Sequence, residues 1–70
     1  MKLIFENAAG VETIVEPDIT PDEASAAITN FIKSKNPNYK IYYIRILGPM
    51  EDGSYEYDVG SHSEFFYLRP

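Results

Sequence analysis

The sequence predicts an α+β domain in the order β-β-α-β-β-β, with one helix on one face of a mainly antiparallel sheet. Three observations carry this. A helix-capping signal at Thr20 opens an apolar stripe that stops before Pro37. Five short segments rich in β-branched and aromatic residues flank it, two before and three after. Short Gly-, Asn- and Asp-containing turns join the strands on either side.

The first two strands form a hairpin over residues 2–7 and 11–16. Lys2-Leu3-Ile4-Phe5-Glu6 alternates in part, and Val11-Glu12-Thr13-Ile14-Val15-Glu16 is rich in β-branched residues. Asn7-Ala8-Ala9-Gly10 is the turn, with Gly10 free to adopt positive φ. Pro17 ends the second strand because it has no N–H for a ladder.

Thr20-Pro21-Asp22-Glu23 is a capping box that starts the helix. Pro21 falls at the first helical position, where a missing N–H costs nothing. Asp22 and Glu23 meet the positive end of the helix dipole, and Lys33 and Lys35 the negative end. Ala24, Ala27, Ile28, Phe31 and Ile32 form one apolar stripe, while Ser25, Thr29, Asn30 and Lys33 fall elsewhere. Asn36-Pro37 stops the helix, since the residue before proline disfavours the α region.

Residues 39–47, Tyr39-Lys40-Ile41-Tyr42-Tyr43-Ile44-Arg45-Ile46-Leu47, read as a long strand ended by Gly48-Pro49. Glu51-Asp52-Gly53-Ser54 is a turn. Tyr55-Glu56-Tyr57-Asp58-Val59 alternates cleanly, apolar against acidic. After a short connection at 60–63, residues 64–69 form the last strand.

Seventy residues make a single domain, 1–70. A chain of this length buries only about 60% of the surface its unfolded form exposes. Small domains commonly add a disulfide, a metal or a partner subunit. There is no Cys, which excludes disulfides and thiolate metal sites, and the single His62 argues against structural zinc. A partner or a second copy remains open. No apolar run approaches the roughly 20 residues of a membrane span. Residues 1–6 reach Glu6 after three apolar residues, too few for a secretory core, which points to the cytoplasm.

The net charge of −5 is unevenly placed. Residues 1–30 carry one base and six acids, residues 31–50 four bases and no acid, and residues 51–70 one base and five acids. That layout opposes nonspecific nucleic-acid binding by the whole surface. The basic segment is the local exception: Lys33, Lys35, Tyr39 and Lys40 combine cations with a stacking ring, as single-strand binders do. Helix-end electrostatics and strand propensity account for the same residues, and no RNP-like or GXXG motif accompanies them. The acidic clusters offer mimicry of a phosphate backbone, against their plainer use in solubility and capping.

Asp58-Val59-Gly60-Ser61-His62-Ser63-Glu64 contains the residue types of a catalytic triad. A triad needs nucleophile, base and orienter to converge, and Ser61 and Ser63 are merely sequence neighbours of His62. No nucleophile elbow surrounds either serine, and His62 with Glu64 is too few ligands for a metal. No Gly-rich phosphate loop exists, because the four glycines are dispersed turn residues. The chain thus predicts no enzyme, cofactor, metal or small-molecule substrate.

The stretch from Tyr57 to Tyr67, with its Asp-x-Gly-Ser-His turn and aromatic strand, resembles the end of short phage and prophage proteins of Gram-positive bacteria. The resemblance covers about a dozen of the 70 residues. It implies an accessory protein that binds or inhibits a host protein, and carries over no catalytic residue.

One helix covers only one sheet face, yet the strands place apolar residues on both. Leu3 and Phe5 oppose Ile4, Ile41 and Tyr43 oppose Ile44 and Ile46, and Phe65 and Tyr67 oppose Phe66 and Leu68. Which set meets the helix is open at this stage. The expected function is non-enzymatic interaction with a protein partner, or as a homodimer, through the uncovered face. Ile41, Tyr43, Arg45, Tyr57, Phe65, Tyr67 and the turn residue His62 are the candidate contacts.

Overall fold

A computed structural model describes residues 1–60 and 65–70. It contains β1 (Lys2–Glu6), β2 (Glu12–Glu16), α1 (Pro21–Lys35), β3 (Ile44–Leu47), β4 (Tyr55–Val59) and β5 (Phe65–Arg69). The strands form one sheet in the order β2-β1-β5-β4-β3, antiparallel at every junction. The architecture is the α+β arrangement read from the sequence.

The β1–β2 turn is built by Asn7. Its side-chain Oδ1 accepts from the amides of Ala9 (2.9 Å) and Val11 (3.0 Å), and Gly10 takes φ +82°. Leu3 pairs with Glu16 but Ile4 pairs with Ile14. Val15 is therefore the extra residue of a bulge, and its side chain packs against the core.

The capping box closes at the start of α1. Glu23 Oε1 accepts from the Thr20 amide (2.9 Å) and hydroxyl (3.0 Å), while the Glu23 amide donates to the Thr20 carbonyl (3.1 Å). These bonds to the ionised form hold the Glu23 carboxyl below its usual range. At the other end the Asn36 amide donates to Ile32 O (2.8 Å), and Lys33 and Lys35 occupy the last turn.

The helix chooses between the two faces. Ala24, Ile28 and Ile32 are buried against Leu3, Phe5, Tyr57, Val59, Phe66 and Leu68. Burying each large apolar side chain contributes about 1.5–3 kcal/mol. Phe5, Phe31 and Phe66 form a ring cluster with centroids 4.9–5.8 Å apart. Lys35 closes its end, with Nζ 4.9 Å from the Phe31 ring centroid and 5.1 Å from that of Phe5.

The strand expected over 39–47 is shorter, covering Ile44–Leu47 alone. Its partner β4 ends at Val59, so the ladder has little to bind before Ile44. The chain turns at residues 36–39, where the Tyr39 amide donates to Asn36 O (3.0 Å); Tyr39 and Ile41 pack on the core, and Tyr43 O still accepts from the Gly60 amide (2.8 Å). This crossing is dictated by topology. β2 and β3 are opposite edges of the sheet, so the chain between them must traverse its full width. That width is about 19 Å, and a 15-residue helix reaches about 22 Å. The helix begins beside β2 and delivers Phe31 to Phe5 and Phe66, and residues 36–43 complete the passage. Nothing in the crossing covers Ile46 at the far edge, which is 51% exposed although it pairs with fully buried Tyr57.

Candidate interaction surface

The face away from the helix is set by register. Ile14, Ile4 and Tyr67 lie side by side across β2, β1 and β5, followed by Glu56 and Leu47 on β4 and β3. Polar side chains clip much of this face together. Arg69 makes a bidentate pair with Glu12, both contacts 3.1 Å, and its guanidinium lies 5.1 Å from the Tyr67 ring centroid. The Tyr67 hydroxyl donates to Glu6 Oε1 (3.3 Å). Hydrogen bonding to Glu12 raises the Arg69 pKa. Burial, then the charges of Glu6 and Glu56, push the Tyr67 phenol up. Beneath this network Ile4 is only 8% exposed, so a helix-free face is not automatically an open apolar one.

The apolar exposure is displaced to one edge. Of eight large hydrophobic side chains exposed among the described residues, five fall between 42 and 50: Tyr42, Tyr43, Ile46, Leu47 and Met50. They surround β3, the sheet edge the helix does not reach. The Tyr43 ring lies beside Gly60, where a Cβ would meet it at 2.6 Å. Arg45 Nη2 donates to Asp58 Oδ2 at 2.6 Å across the β3–β4 pair. The edge therefore presents ring and aliphatic surface around one neutralised charge.

The candidate contacts divide. Tyr43, Arg45 and Phe65 are exposed, and Tyr67 is half-buried within the polar clip. Ile41 is half-buried against the core. Tyr57 is a correction: it is wholly enclosed, because strand alternation turns it toward α1 together with Val59 and Tyr55. His62 lies outside the described residues, as do Ser61, Ser63 and Glu64. Ile46, Leu47, Tyr42 and Met50 were not on the sequence-based set. No local signal marks them, since their exposure follows from β3 being an edge.

The basic set is not gathered into one stacking platform. Lys35 caps the Phe5–Phe31 rings. Tyr39 is half-buried, donates its hydroxyl to Gly60 O (3.1 Å), and has its pKa raised by burial and then by Tyr42. Lys33 and Lys40 are exposed. The acids also hold internal posts: Glu12 on Arg69, Asp58 on Arg45, Glu23 at the helix cap. Asp52 accepts from the Ser54 hydroxyl (2.6 Å) and amide (2.9 Å), bonds that lower its pKa. An open groove of about 510 Å3 between β2 and α1 is lined by Glu16, Asp22 and Glu23 with Ile19 and Ala27. Among the described residues no group of three His, Cys, Asp or Glu is placed to hold a metal. No described helix is long and apolar enough to cross a membrane.

Comparison with known proteins finds no matching family model, no matching curated protein and no matching solved structure.

Proposed function

We propose that this chain is a non-enzymatic cytoplasmic interaction protein that engages a protein partner through the β3 edge. The carrying observation is the concentration of five exposed large apolar side chains around one free sheet edge. Scattered apolar exposure is ordinary, whereas apolar side chains gathered beside unpaired strand groups are a usual mark of an interface. The resemblance of the C-terminal turn to phage and prophage proteins makes a host protein one partner to seek, beside a second copy of the chain.

The test places a photoreactive residue at Tyr42, the most exposed of the five at 71%. Irradiation in cells should give a discrete protein adduct that Leu47→Lys abolishes. The same probe at Asn30, exposed on the helix, serves as the control. Equal labelling from both positions would refute the edge as the interaction surface.

A further inference from the structure

We infer that the β3 edge pairs with β3 of a second copy, antiparallel and about a twofold axis at Ile44. The inference rests on the reading of β3 as the interaction surface and names its occupant. The two sheet edges differ. β2 is blunted by the Val15 bulge, by Glu16 and by Pro17, all devices that discourage strand addition. β3 has no bulge, and its one charge is bound to Asp58. Among the described residues β3 is the one edge without such devices, so self-pairing closes as a twofold dimer rather than a filament.

The hydrogen-bond phase fixes which groups meet. The Gly60 amide donates to Tyr43 O (2.8 Å), so Tyr43, Arg45 and Leu47 turn their backbone groups toward β4. Ile44 and Ile46 therefore turn their N–H and C=O groups outward, away from β4. Registers that join outward groups and keep like faces together centre on Ile44, Arg45 or Ile46. Centring on Arg45 sets two guanidinium groups directly opposite, which is destabilising. Centring on Ile46 sets Arg45 against the partner's Leu47 and leaves Tyr42 beyond the pairing. Centring on Ile44 sets Arg45 against the partner's Tyr43 ring and Ile46 beside the partner's Tyr42.

Charge supports the same antiparallel sense. Lys40 precedes β3 and Glu51 follows it, both exposed. Antiparallel pairing brings the basic end of each copy to the acidic end of the other. A parallel pair would set like against like.

Sedimentation equilibrium on the full chain should give twice the 8.0 kDa monomer mass at micromolar concentration. Ile46→Pro removes an outward N–H from each copy and leaves the β4 ladder intact, a site where an edge strand accepts proline. It should weaken the dimer about thirtyfold, from two lost hydrogen bonds. Lys40→Glu should also weaken it, and adding Glu51→Lys should restore it, so the test survives if the proline variant does not fold. A monomer at millimolar concentration overturns the inference. So does a dissociation constant unchanged by Ile46→Pro in a chain that circular dichroism shows folded. If the Tyr42 probe instead captures a different protein, and Leu47→Lys abolishes that adduct, the dimer falls and the edge reading stands. No adduct at all removes both.

Discussion

Removing the hydroxyl of Tyr57 should make this protein more stable. Tyr57 is 0% exposed, and its hydroxyl is the one buried side-chain polar atom among the described residues with no hydrogen-bond partner. In the unfolded chain that hydroxyl is hydrated; in the fold it is stripped of water with nothing in return. An unsatisfied buried polar group of this kind costs about 1–3 kcal/mol. Tyr57→Phe keeps the ring between Phe66 and Ile46, its neighbours in register, and loses only one atom of packing. The net gain should be about 1 kcal/mol, and for a domain of this size 1 kcal/mol raises Tm by about 4–8 °C. Urea titration should show the midpoint moving up with the slope unchanged.

Two other tyrosines supply the controls. The Tyr39 hydroxyl is used, donating to Gly60 O at 3.1 Å, so Tyr39→Phe should cost about 1 kcal/mol. The Tyr67 hydroxyl makes a longer bond to Glu6 at 3.3 Å, and its loss should cost less. Alkali adds a second signature. Burial, then Tyr55, raise the Tyr57 pKa in the fold. The unfolded chain therefore loses that proton first, and stability falls as pH rises from about 10 through the folded value. Tyr57→Phe deletes this loss, so its advantage should widen above about pH 10. A variant less stable than the parent by more than about 0.5 kcal/mol would refute the reasoning, because it would mean that the hydroxyl has a partner.

Core truncation at Ile28, wholly buried on the helix stripe, should cost about 2–5 kcal/mol in Ile28→Ala and leave little folded protein in a thermal melt. Glu12→Gln should cost up to about 1 kcal/mol at low salt, because the Arg69 pair is bidentate but half-exposed, and the deficit measured by urea titration should shrink at high salt. Glu23 and Asp52 have depressed pKa values in the fold, so their contribution is complete above the ordinary carboxylate range and disappears as pH falls through the folded values. Glu23→Gln and Asp52→Asn should therefore flatten the acid limb of a stability–pH curve while lowering its neutral plateau. Gly10→Ala should destabilise by strain alone, since Gly10 sits at φ +82° with open space around it, and a melt should show a loss of about 1 kcal/mol.

The helix was legible residue by residue because its signals are local. Thr20, Pro21 and Glu23 act within one turn, and the stripe from Ala24 to Ile32 repeats at helical spacing, so each residue specifies its own neighbours. Strand identity was equally local for β1, β2, β4 and β5. Strand length at β3 was not. Tyr39, Ile41 and Tyr42 have β propensity, but propensity does not supply a partner, and β4 has ended before the ladder reaches them. The same residues then take what the fold leaves: Tyr39 the carbonyl of Gly60, Ile41 the core, Tyr42 solvent.

Placing the surface required a further level, the order of strands. Alternation shows that each strand has two faces, but not which neighbours surround them. Pairing β1 with β5 puts Ile4 between Ile14 and Tyr67 and brings Arg69 within reach of Glu12, so residues distant in sequence cover that part of the face. The same pairing pushes β3 to the margin, beyond the one helix. Ile46 and Leu47 are thus exposed by topology and not by any property of their own sequence. A helix-free face draws attention in a single-helix sheet, yet polar side chains can reach across a face and close it. They close an edge less readily, because its unmet groups are backbone N–H and C=O directed outward in the plane of the sheet. At β3 those groups belong to Ile44 and Ile46, flanked by exposed Tyr42 and Leu47, and another strand satisfies them most completely.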